Sequence, residues 1–177
     1  MNDALSFQDL INDTRPDAEL SREEVIERNL RVVEAHFHNE NPDDVDKAIA
    51  LYADGIVWEA PCRGMVYTDP AEVRKAYFGI FRTIKYNKTT ALRRFATETS
   101  VFDDQIADVE VVGNEMPNLG YPIGTRLNAR LVHCFEMRDG RITREIAYEM
   151  LREHGGSLDH DSVPEGAHVV VYDPSAF

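Results

Sequence analysis

Two cysteines in 177 residues, Cys62 and Cys134, are too few and too far apart for a disulfide framework or a cysteine-based metal site. That scarcity suits a reducing compartment. No apolar run approaches the ~20 residues of a membrane span, and the start, MNDALSFQDLINDTRPDAEL, lacks the basic opening and apolar centre of a signal peptide. The expectation is a cytoplasmic protein with no membrane partner. Basic residues are also scarce: 19 Lys and Arg against 32 Asp and Glu give a formal net charge of −13. A surface of that sign repels phosphate backbones and anionic lipid, which argues against a nucleic-acid partner. There is no phosphate-cradling glycine loop and no G-x-S-x-G elbow. His154, His160 and His168 fall among Asp159 and Asp161 at spacings that match no common ligand pattern. Neither a metal nor an organic cofactor is expected.

What is present reads as one globular domain. Hydrophobic content of 43% and charged content of 29% lie well away from disorder. Ser21 and Glu24 form a capping box ahead of Ile26, Leu30, Val33 and Phe37, which predicts an amphipathic helix over Arg22–Asn39. A second helix follows Asn41-Pro42, with Val45, Ile49 and Tyr52 inward, and ends at Asp54-Gly55; Ile56–Ala60 is a short strand. Thr68-Asp69-Pro70 opens a third helix carrying Val73, Tyr77, Ile80, Phe81 and Ile84. Beyond Tyr86, strand-like alternation fills Lys88–Thr97, Ser100–Val112, Gly124–Met137 and Arg141–Leu151. Helices first and antiparallel strands after them predict an α+β fold. The expected organisation is a mobile arm over residues 1–20 with a short helix at Leu5–Ile11, a domain over 21–152, and a tail over 153–177. In that tail Val169-Val170-Val171-Tyr172 is long enough for an added edge strand, in this chain's own sheet or a neighbour's.

The order of these elements, with ALYADG closing the second helix, IVWEAP, TDPAEV and the closing FEMRDGRITREIAYE, resembles the nuclear-transport-factor-2-like superfamily, in its SnoaL-like polyketide cyclase branch. The resemblance spans about Ser21 to Leu151. It implies a cone: three N-terminal helices packed on a curved, mostly antiparallel sheet that encloses an apolar pocket for a hydrophobic small molecule. Homodimers through the sheet are common in the superfamily. Its members include ketosteroid isomerase, scytalone dehydratase, limonene-epoxide hydrolase, aldol-type polyketide cyclases and formaldehyde-eliminating lyases, and others only bind ligands. Ketosteroid isomerases carry a catalytic aspartate at the position of Ala60 here, so that base is missing. Their oxyanion-donating acid corresponds to His133, and their first-helix tyrosine lies nearest His36. The E-H-W-D stretch frequent in SnoaL-like cyclases corresponds to Arg144-Glu145-Ile146-Ala147, so Glu145 and Ala147 replace its histidine and aspartate. The Asp–Arg–Asp network of the epoxide hydrolases has no evident counterpart.

Alternation puts Leu127, Ala129, Leu131, His133 and Phe135 on one strand face and turns Cys134 away, which argues against a Cys–His nucleophile pair. His133 is the only titratable group of its row, so desolvation is expected to lower its pKa and favour the neutral ring. Its partner depends on how Met137-Arg138-Asp139-Gly140-Arg141 turns. A three-residue hairpin with a G1 bulge places Glu145 opposite His133, Ala147 opposite Leu131 and Glu149 opposite Ala129. A two-residue Asp-Gly type I′ turn places Ile146 opposite His133 instead. Superfamily precedent favours the first and apolar matching the second. The expected catalytic residues are His133, Glu145 and His36; Trp58, Ala60, Arg63, Tyr121, Leu131, Phe135, Ala147 and Glu149 are expected to contact substrate. Asp103 and Asp104 read as caps of a tight bend. The functional expectation is a cofactor-independent acid–base lyase, isomerase or cyclase acting on an aromatic or polycyclic molecule. The alternative is a ligand-binding or scaffold protein of the same fold.

Overall fold

The computed structural model describes residues 7–155 and the strand pair Val170–Val171. Helix α1 (Phe7–Asn12) and a 3-10 turn (Asp17–Glu19) precede α2 (Arg22–His38). The capping box forms as expected: Ser21 accepts from the Glu24 N–H, and Glu24 reaches back to the Ser21 N–H at 2.8 Å. The segment expected as an arm packs on the domain from Phe7 onward. Leu10 is buried in the main core, and Asp17 pairs with Arg28 and accepts from the Asp139 N–H. Leu5 and Ser6 lie outside the described residues, as does the tail around Val170–Val171.

The second helix is shorter than the apolar spacing suggests. Helix α3 (Val45–Ile49) stops early, and Tyr52 already begins β1 (Tyr52–Ala60). Gly55, at φ 76°, takes up the register shift between Tyr52 and Val57, so one bulged strand replaces a helix end and a short strand. A 3-10 turn (Pro61–Arg63) leads to β2 (Met65–Tyr67), then α4 (Pro70–Thr83), capped by the Asp69 side chain. Ile84 belongs to β3 (Ile84–Ala96) rather than to the helix before it. Strands β4 (Ser100–Val111), β5 (Arg126–Arg138) and β6 (Arg141–Glu153) follow, and β7 (Val170–Val171) pairs with Thr90 and Ala91 of β3. The sheet order is β2-β1-β6-β5-β4-β3-β7, antiparallel except for β1 against β6. This is the expected α+β cone, a curved sheet with helices across its concave side.

The hairpin between β5 and β6 combines parts of both expected turns. Asp139 and Gly140 have φ of 49° and 70°, a two-residue turn of the primed kind, pairing Arg138 with Arg141 and Met137 with Ile142. Thr143 then bulges out, its hydroxyl donating to the Glu136 carbonyl at 3.1 Å. Beyond the bulge Phe135 faces Glu145 and His133 faces Ala147. The three-residue closure is therefore wrong in its pairings, and so is Ile146 opposite His133. Glu145, Ala147 and Glu149 nevertheless reach the concave face, because one bulge restores the parity that the tight turn had inverted.

Two apolar clusters hold the cone together. One gathers Val32, Val33, Leu51, Ile56, Trp58, Val73 and Phe135; the other Ile84, Val109, Val111, Met116, Leu127 and Ala129. Ile80 packs against both, and the cavity opens between them, lined by Trp58 and Tyr77 of the first and by Ile84, Val109, Met116 and Ala129 of the second. Segment 112–116 seals one wall because glycine lets backbones touch. A Cβ on Gly113 would stand 2.2 Å from the Arg82 carbonyl oxygen, and one on Gly79 2.9 Å from that of Glu115.

Candidate active site

The cavity holds about 390 Å³. Its apolar walls come from Ile80, Phe81, Val109, Met116, Leu119 and Leu131, among others. Two bulges in β3, at Asn87 and Leu92, change which residues face inward, so Tyr86, Ala91 and Arg94 all line it.

Polar groups gather at one end. Glu145 is 1% exposed and still reaches the cavity. Its Oε2 accepts from the Tyr52 hydroxyl at 2.5 Å and lies 3.2 Å from His36 Nε2. The Tyr77 hydroxyl is 2.9 Å from that of Tyr52 and donates to Glu40 Oε1 at 2.9 Å. His36 Nε2 is also 2.9 Å from Glu40 Oε1. Carbonyl oxygens only accept, so the 3.2 Å contact from His36 Nδ1 to the Ala48 oxygen fixes a proton on Nδ1 and aims Nε2 at the carboxylates. Burial opposes the charged ring, but Glu145 and Glu40 outweigh it and push the His36 pKa up to about 10. Burial likewise opposes ionisation of Glu145, and His36, then His133 and the Tyr52 hydroxyl, hold its pKa below the usual glutamate value. Among the described residues, the His36, Glu40 and Glu145 donor atoms lie within 4.8 Å of one another, a set that could also hold a divalent cation in place of the shared proton.

His133 lines the same end of the cavity, edge-on to Phe37 at 5.0 Å and stacked with Phe135 at 6.0 Å. Its nearest carboxylate is Asp103, directly opposite on β4, with Oδ2 3.8 Å from Nδ1. That is beyond a hydrogen bond, and neither atom has a partner. Burial lowers the His133 pKa, yet Asp103, Glu145 and Glu40 together raise it above the ordinary imidazole value. The expected lowering is thus reversed, because three carboxylates lie near a ring that its own strand surrounds with apolar residues. Asp103 and Asp104 cap no bend. They are buried within β4, Asp103 under Arg94 and Asp104 under Arg93 and Arg130. Arg94 also pairs with Glu34, making a Glu34–Arg94–Asp103 chain at the cavity wall.

Of the residues read from sequence as site members, His133, Glu145, Trp58, Leu131, Ala147 and Glu149 line the cavity. Five do not. His36 is fully buried behind Glu145, and Phe135 packs beneath His133. Ala60 lies in the core, paired with Met65. Tyr121 turns its hydroxyl to the Leu151 carbonyl at 3.1 Å. Arg63 is buried at the back of Glu149 instead of open at the mouth. Sequence reasoning missed Tyr52, Tyr77 and Glu40 as polar members of the site. Tyr52 and Tyr77 were legible as inward positions, but a tyrosine at helical spacing reads as core until a buried carboxylate is found at its hydroxyl.

The SnoaL-like domain family matches residues 33–145. No curated protein sequence matches the chain. Among solved structures, a candidate polyketide cyclase from Xanthomonas campestris pv. campestris superposes with a TM-score of 0.58 at 18% identity, covering 70% of this chain and 91% of that one. An NTF2-like protein from Burkholderia xenovorans LB400 gives 0.58 at 15% identity over 71% and 91%. A limonene-epoxide-hydrolase-like (LEH-like) epoxide hydrolase of M. tuberculosis gives 0.53 at 19% identity over 71% and 84%. Identities this low establish shared architecture and leave the chemistry to the residues.

Proposed function

Since the chain belongs to the SnoaL-like domain family of the nuclear-transport-factor-2-like fold, we propose that it is an acid–base enzyme of the lyase, isomerase or cyclase kind. It moves a proton on a hydrophobic, aromatic small molecule, with no metal or organic cofactor. One observation carries this reading: a buried carboxylate, its charge braced by the His36 ring and two phenols, opens on an apolar cavity beside a second histidine. Such a charge is costly to hold in apolar surroundings, and perturbed titratable groups converging in a cavity favour a reactive site. His133 is the proton-transfer group, more acid than base given its raised pKa, and it reaches the oxygen of a carbonyl or hydroxyl. Glu145 receives the proton from carbon. His36 touches no substrate; it is a positioning residue that keeps Glu145 ionised. Tyr77, on the cavity wall, gives its one proton to Glu40 and so helps to hold the carboxylate cluster in place. Two copies pair through the outer sheet face, where Tyr148 and Met150 are exposed.

Deuterium exchange tests the chemistry. A panel of aryl ketones with acidic α-hydrogens, incubated in D2O and followed by NMR, should exchange faster with enzyme than with buffer. His133→Ala and Glu145→Gln should each lower that rate by about 10²-fold or more at unchanged circular dichroism. Binding without exchange would establish the ligand-binding alternative. Chelator dialysis should leave the rate unchanged; a loss restored by divalent metal would convert the His36–Glu40–Glu145 cluster into a metal centre. The Glu34–Arg94–Asp103 chain favours a second reading, hydrolysis by an activated water, for which ¹⁸O from labelled water would enter the product.

A further inference from the structure

The cavity has a second polar end. Strand β6 turns Glu145, Ala147, Glu149 and Leu151 toward it. At about 3.3 Å rise per residue, Glu145 and Glu149 stand ~13 Å apart along the strand. The Glu149 side chain is 7% exposed and is gripped by Arg63, with Nε to Oε2 at 2.6 Å and Nη2 to Oε1 at 3.1 Å. Arg63 Nη1 donates onward to the Pro117 carbonyl at 3.1 Å, so the guanidinium is held from both sides. Each Glu149 oxygen accepts once from Arg63, and a carboxylate has about four acceptor sites, so lone pairs remain for a cavity occupant. Between the two ends lies Trp58, its ring 6.4 Å from that of Tyr77 and 6.0 Å from the Arg63 guanidinium. Its buried indole N–H has no acceptor in the protein. A satisfied native core rarely leaves such a donor without a role. The wall also has a sign: Glu40, Glu145 and Glu149 face the cavity against Arg94 and His133.

We propose that the cavity takes a neutral, elongated ligand about two aromatic rings long, whose far end is a hydroxyl donated to Glu149. This rests on the acid–base reading for which end reacts, and it adds what the other end must be. A hydroxyl fits a carboxylate whose spare capacity is all acceptor. A ligand carboxylate would meet Glu149 as a like charge, and an ether has no proton to give its remaining lone pairs.

Calorimetric titration of the intact protein with para-acetyl-para′-hydroxybiphenyl, its methyl ether and the para′-carboxylate analogue decides the matter. The hydroxyl compound should bind about tenfold or more tightly than either analogue, the margin of one hydrogen bond to a charged group. In Glu149→Gln that margin should fall below about threefold. Should this variant fail to fold, the three ligands on the unaltered protein decide alone. Equal affinity of hydroxyl and ether, tightest binding by the carboxylate, or binding by none of the three would overturn the proposal. Deuterium exchange and ligand preference separate the two readings: preference without exchange supports this one and removes only the acid–base role.

Discussion

Glu145 is held in place by groups from four elements: His36 from α2, Tyr52 from β1, Tyr77 from α4 and its own strand. The His36–Glu145 pairing has a pH signature. A histidine whose folded pKa is about 10 binds its proton more tightly folded than unfolded, where the value is near 6.5. The stabilisation is complete below about pH 6.5 and is lost as pH rises toward 10. Melting temperature should therefore fall across that window, and Glu145→Gln should flatten the fall by removing the larger of the two charges that raise the ring. NMR titration of the His36 ring checks the cause, since protonation should persist at pH 8; a ring titrating near 6.5 would remove the ion pair from the account. Glu145 contributes with the opposite sign. Its lowered pKa supplies stability above about 4.5 that disappears on acidification. At this scale the sequence was partly legible. His133 faces the cavity as strand alternation from Leu127 to Phe135 implies, whereas the inward position of Glu145 was reached through superfamily precedent and a closure whose parity the Thr143 bulge happens to match. The Glu145–His36 contact was not legible, because it joins residues 109 positions apart on separate elements, and no local pattern encodes their distance.

Among the elements, the β5–β6 hairpin and the α4–loop junction do most to position the cavity. The hairpin shows why register was the hardest reading. Asp139-Gly140 correctly signals a two-residue turn, but Thr143 carries no bulge signature, and a bulge in one strand answers to the partner strand and to the core. Likewise Tyr52 keeps helical spacing with Val45 and Ile49, yet it is claimed by the sheet through pairing with Ile142. Tertiary contact overrode local propensity there. At the junction, Val112 and Gly113 both donate to the Thr83 carbonyl, and Glu115 donates to the buried Thr83 hydroxyl at 2.9 Å. Gly113→Ala would force two backbones apart. It should cost roughly 2–4 kcal/mol in denaturant unfolding and loosen the wall formed by Met116 and Leu119. A loss below about 1 kcal/mol would show that segment 112–116 docks less tightly than the contacts indicate.

For the whole molecule, the α+β class and the helices-then-strands order followed from periodicity alone, while the cone itself followed from the resemblance. Assembly belongs to this scale too. The outer sheet face carries Phe102, Cys134 and Ile146 in one row across three strands, with Val132 beside Tyr148 in the next. Phe95 is exposed and stacks on Phe102 at 4.9 Å. Sedimentation should give a dimer, and Tyr148→Asp should shift it to monomer by placing a charge on that face without touching the cavity. A monomer at high protein concentration would leave the face uncovered and end the dimer reading. Among the described residues, no helix is long and apolar enough to cross a membrane.

Trp58 carries a further consequence. It is the only tryptophan in the chain, and it stands in the cavity wall between the buried Glu145 carboxylate and the Arg63–Glu149 pair. Its emission therefore reports from one known place, without label or cofactor. Whatever enters should change the colour and yield of that light, so the molecule contains the optical probe with which its own ligand can be sought.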